Sequence, residues 1–114
     1  MSESTISTAA DTIFKALAAN AQSAFKNVVT DINKHVLPTM AQISRSLATI
    51  GIQLADDTIT RPMADIEVRM AVRAAASVIV GFANTVLTAI ENIINGVLAA
   101  VRDVVNAAVG VPLL

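Results

Sequence analysis

Three places in the chain carry side chains suited to chemistry, and none has the company that chemistry requires. His35 is the only histidine. A general base needs an orienting carboxylate and a nucleophile within hydrogen-bond reach, and Lys34 and Val36 beside it supply neither. Placed just before Pro38, His35 instead suits a helix C-terminus, where a cationic ring opposes the negative end of the helix dipole. Asp56 and Asp57 are hard-cation donors, but adjacent residues point apart and no further oxygens follow at calcium-loop spacing. A turn is the expectation there. Glu91 stands alone in the most apolar part of the chain. A carboxylate in that setting can titrate in a pore or interface, but with Asn92 and Asn95 beside it, Glu91 reads as the solvated edge of a helix.

The composition removes whole classes of function. The chain has no cysteine, hence no disulfide, thiolate or Cys-ligated metal. Its net charge is −1 with both signs scattered through both halves, so no basic stripe exists to meet the phosphates of a nucleic acid. No phosphate-cradling loop or metal-ligand spacing occurs, so no cofactor, no metal, no small-molecule substrate and no enzymatic activity are expected. The N-terminus, MSESTISTAADTIF, lacks a positive region followed by an apolar run. No secretory leader is expected, and synthesis in the cytoplasm is.

What the chain does have is apolar mass. Hydrophobic residues make up 54% of the 114, and charged residues only 15%, against about 25% in ordinary domains. Ala, Val, Ile and Leu dominate, with Phe14, Phe25 and Phe82 the only aromatics. Such a length makes one domain, residues 1–114, and the pattern is helical throughout.

Thr8 followed by Asp11 resembles a capping box, which starts the first helix near residue 8. Its stripe runs Phe14, Leu17, Ala21, Phe25, Val28, Ile32 and Val36, then resumes in phase beyond Pro38 at Met40, Ile43, Leu47, Ile50 and Leu54. The steps before Pro38 average about 3.67 residues, a straight or slightly right-handed stripe. The preserved phase favours one helix over about 8–55, kinked at Pro38, over a reversal. Residues 56–61 read as a turn, and Pro62 opens a second helix with Thr60 or Arg61 near its cap. No stop follows until Gly110, so the second helix spans about 62–109, roughly 70 Å at 1.5 Å per residue.

That second helix starts polar, with Arg61, Asp65, Arg69 and Arg73 at four-residue spacing, and then loses its charge. Residues 74–90 and 92–101 carry none. The resulting apolar face is far wider than the ~100° of a surface helix. The fold expected is therefore all-α: a long antiparallel helical hairpin, too greasy to stand alone, packed into an oligomer. The self-association surface is assigned to Ile79, Phe82, Val86, Ile90, Ile93, Val97, Val101 and Val104, while Met40, Met63 and Met70 read as core filler.

Two functions fit such a chain. The first is a structural subunit that packs laterally, as a homo-oligomer, into a shell, tube, filament or virion layer. The second is an amphipathic coat or membrane-inserting protein whose apolar face meets lipid. Against a true span, the uncharged run at 74–90 contains Asn84, Thr85 and Thr88 and has no Trp or Tyr belt.

Overall fold

The computed structural model describes residues 3–114, and every regular element in them is helical. In chain order these are α1 (Glu3–Ala24), α2 (Ile32–His35), α3 (Leu37–Ala55), α4 (Arg61–Ile79), a 3-10 turn (Val80–Phe82), α5 (Leu87–Ala100) and α6 (Arg102–Val109). The chain is all-α, but it is not one hairpin.

The first expected helix is divided and folded back. α1 already runs at Thr8, whose hydroxyl donates to the Ser4 carbonyl at 2.9 Å, so no capping box forms there. Ile13, Leu17, Ala21 and Phe25 turn inward, while Phe14 is only half-buried. α1 then stops without a proline or glycine. Val28, Val29 and Thr30 are β-branched and crowd a helical backbone, and Asp31 accepts from the Lys34 amide at 3.1 Å to cap α2. Pro38 is the second residue of α3, where its missing N–H disrupts nothing. Ala9 near the start of α1 lines a cleft with Ala108, and Gly51 near the end of α3 lies against Val109. The two helices are therefore antiparallel, and the segment around Pro38 completes a reversal rather than a kink.

The turn expected at 56–61 is one residue shorter, 56–60, because Arg61 already starts α4, and it has an explicit cap at each side. The Asp57 amide donates to the Leu54 carbonyl at 3.2 Å and the Thr58 amide to the Gln53 carbonyl at 2.8 Å, with Asp57 in the left-handed region at φ 59°. This is a Schellman closure with aspartate where glycine is usual. Thr60 caps α4 by accepting from the Met63 amide at 3.3 Å. α4 runs antiparallel to α3, since Gln53 shares a groove with Glu67 while Gln42 shares one with Val78.

The 48-residue rod expected from 62 to 109 is broken twice. α4 ends at Ile79, and after the 3-10 turn Ala83 bridges Val29 while the Asn84 amide donates to the Val28 carbonyl at 2.9 Å. A second break at Val101 bends α5 from α6 by 66°. The longest dimension is accordingly 40 Å rather than a rod's length. The reason is burial. A hairpin offers the apolar α5 one neighbour, whereas a folded-back N-terminal half surrounds it with α1 and α4, and α6 turns to pack on α1 and α3. Ile79, Ile90, Ile94 and Val105 join Leu17, Phe25, Met40 and Leu47 in one core with essentially no exposure.

The far end is closed by the C-terminal residues. Gly110, at φ 81°, ends α6 in the left-handed conformation. Asn106 Oδ1 then accepts from the Leu113 and Leu114 amides, both at 2.9 Å. Arg61 donates to the Leu113 carbonyl at 3.1 Å and to the Pro112 carbonyl, and Leu113 is buried.

Candidate interaction surface

The residues with chemical potential remain apart. His35 ends α2 and stacks on Phe82, ring centroids 4.1 Å apart and 13° from parallel. Asp56 and Asp57 cap α3. Glu91 borders a groove between α4 and α5. Among the described residues no three His, Asp or Glu side chains are grouped to hold a metal.

The eight residues assigned to self-association divide. Ile79, Ile90, Val97 and Val101 lie in the chain's own core, and Ile93 is partly covered against it. These five would face outward on a single rod with one neighbour; the breaks in the rod fold α1, α3 and α4 over them instead. Phe82, Val86 and Val104 are exposed.

A different surface emerges instead. Eight large apolar side chains among the described residues stand exposed, and seven of them fall between Met63 and Leu87: Met63, Ile66, Met70, Val78, Phe82, Val86 and Leu87. Met63 and Met70, read from sequence as core filler, are 49% and 65% exposed. Met63, Ile66, Met70, Ala74 and Val78 follow spacings of 3, 4, 4 and 4, one face of α4. The signal was present in the sequence but masked by Arg61, Asp65, Arg69 and Arg73, which lie on a neighbouring face of the same turns. Alongside, Val72, Ala75, Ala76 and Ile79 form the buried face of α4, so this helix is apolar on two sides.

The α4 ridge has a groove on each flank. On the α3 side a groove of about 520 Å³ is lined by Arg45, Thr49, Gln53, Glu67, Met70 and Ala71 among others, and one carboxylate oxygen of Glu67, Oε2, is buried there without a hydrogen-bond donor. On the α5 side a groove of about 390 Å³ is lined by Ile66, Arg69, Met70, Arg73, Glu91 and Asn95 among others. Met70 stands between the two.

No family model, curated protein or solved structure matches the chain.

The surface therefore carries the functional argument alone. Single exposed apolar residues are ordinary, but a contiguous row beyond a few hundred Å² marks a contact site. Each large side chain withdrawn from water at such a site contributes on the order of 1.5–3 kcal/mol. Flat grooves with scattered polar rims and no convergent nucleophile, base or metal set suit a partner's side chains better than a reacting small molecule. As to lipid, no single described helix is long and apolar enough to cross a membrane, although α5 and α6 together, bent by 66°, pass on length and composition.

Proposed function

We propose that this chain is a non-enzymatic assembly subunit that packs laterally through the exposed apolar ridge of α4 and its continuation at Phe82, Val86 and Leu87. The observation that carries the proposal is the gathering of seven of the eight exposed large apolar side chains into this one stretch. The oligomer expected from sequence is kept, but its contact moves from the buried stripe of α5 to the outer face of α4. A shell, tube or filament needs at least two contacts on each subunit, and the stretch supplies two: the helical ridge, and the end patch about Phe82 roughly 18 Å further along the chain's rise from Met70.

The test is the mass and shape of the purified particle by light scattering and electron microscopy, for the parent chain and for Met70→Asp. Assembly in the parent that is lost in Met70→Asp, with helical content unchanged, supports the proposal; an unaffected assembly relocates the contact. A second reading, contact with lipid, draws on the apolar bent pair α5–α6. It predicts that liposomes shift the chain from free to bound and that this binding responds to α5 rather than to α4.

A further inference from the structure

We infer that the partner on the α4 ridge is a second copy of this chain, with the two α4 helices antiparallel about a two-fold axis at Met70 and the α4/α5 rims of the two copies meeting. The inference rests on reading the ridge as an association surface, and it adds the identity of the partner, the direction and the register.

Shape points to this register. Along the outer face of α4 the N-terminal half carries Met63 and Ile66, the C-terminal half carries Ala74 and Ser77 with Val78 at its edge, and Met70 stands at the centre. An antiparallel pair centred on Met70 sets Ile66 opposite Ala74, each four residues from the axis, and Met63 opposite Ser77, each seven away. Large meets small at these two pairings, Met70 meets its own copy on the axis, and Val78 falls opposite Pro62, each eight residues away. A parallel pair would set large on large at one end and leave a gap at the other, and close packing tolerates neither. A two-fold contact repeats every favourable pairing twice.

Charge points to a copy rather than to a strongly charged partner. Each groove carries both signs: Arg45 with Glu67 on one flank, Arg69 and Arg73 with Glu91 on the other. A polyanion or an anionic bilayer would meet acid on both sides. Among the described residues Arg69, Arg73 and Glu91 form no ion pair, whereas Arg61 is already engaged with Asp65 at 3.6 Å. In the two-fold pair the two α4/α5 rims face one another, so the arginines of each copy stand against Glu91 of the other.

The test exchanges charges between copies. Arg69→Glu/Arg73→Glu gives a rim that is wholly acidic, and Glu91→Arg one that is wholly basic, so each variant repels itself. Light scattering at tens of micromolar should find the parent dimeric or larger and each variant's self-association weakened by at least about tenfold, while an equimolar mixture of the two returns to parental affinity or better. Restoration on mixing also shows that both variants fold. A parent that stays monomeric overturns the inference, and vesicle binding by such a monomer would hand the ridge to lipid. A parent that dimerises, is broken by Met70→Asp, but whose charge variants behave alike alone and mixed, overturns the two-fold pairing and leaves the assembly reading standing.

Discussion

Gly51 offers the sharpest test of the bundle, because two opposing effects meet there and the structure says which is larger. Within a helix, Gly→Ala ordinarily stabilises by about 0.8–1 kcal/mol through lower backbone entropy in the unfolded chain. A Cβ placed on Gly51, however, would lie 2.6 Å from Val109 Cβ, 2.6 Å from its Cγ1 and 2.7 Å from its Cγ2. Rotating the valine cannot relieve the first of these, since Cβ is fixed by the backbone. α6 must therefore move by most of an ångström, and overpacking of that kind costs about 1–3 kcal/mol. Gly51→Ala should then destabilise by a net ~1 kcal/mol, a fall of about 4 °C in the thermal midpoint for a chain of this size. Gly96, inside α5 with nothing within 4 Å of an added Cβ, is the matched control. Gly96→Ala should raise the midpoint by a similar amount. Val109→Ala in the Gly51→Ala background removes Cγ1 and Cγ2 but leaves Cβ at 2.6 Å, so the pair should show a partial favourable coupling of about 0.5 kcal/mol in a double-mutant cycle. Thermal unfolding followed by circular dichroism reads all five chains: the parent, Gly51→Ala, Gly96→Ala, Val109→Ala and the double variant. If Gly51→Ala stabilises as Gly96→Ala does, the close crossing of α3 and α6 is wrong.

Ile90→Asp and Val86→Asp, four residues apart, should behave in opposite ways: the first sets an unpaired charge in the core and abolishes cooperative unfolding, the second keeps parental helicity, as circular dichroism would show. Asp57→Gly should stabilise by about 0.5–1 kcal/mol, because Asp57 holds φ 59° in the α3 closure and glycine adopts that region without strain; chemical denaturation measures it. Asn106→Ala removes the acceptor of the Leu114 amide, while the Leu113 amide keeps the Val111 carbonyl at 2.8 Å, so it should speed hydrogen exchange at Leu114 at least about tenfold while the amides of α3 keep their protection.

How much of this was legible depended on whether a signal was local. The helical class, the cap at Thr60, the turn after Ala55 and the stop at Gly110 are written in a few adjacent residues, and each stands where the sequence places it. The inward stripe through Leu17, Ala21, Phe25, Met40, Ile43, Leu47 and Ile50 is likewise a matter of spacing, and all are buried. The breaks at 25–31 and 80–86 were not legible, because propensity there is only weakly against helix. What decides them is a distant pairing, Val29 with Ala83 and the Asn84 amide on Val28, which no window of neighbouring residues contains. Without those breaks the molecule would be roughly 70 Å long rather than 40 Å and its core would face outward, which is why the sequence pattern places Ile79, Ile90, Val97 and Val101 on a contact surface. The α4 ridge was missed for a related reason. Its arginines drew attention to charge, and a helix apolar on two opposite sides looks merely mixed in a linear reading.

The order in which the ribosome delivers this fold follows from the Val29–Ala83 bridge and the Arg61 grip on residues 112 and 113. When Ile79 has been made, the residues of α1, α3 and α4 exist but the helices that fill the remaining side of their core do not, and the end of α6 at Val109 lies 30 residues further on. At about 5–20 residues per second that interval lasts roughly 1.5 to 6 seconds. During it the nascent chain presents Leu17, Phe25 and Leu47 with part of their final covering absent. A truncated product ending near residue 80 would keep that condition permanently, which makes it a natural substrate for chaperones and proteases.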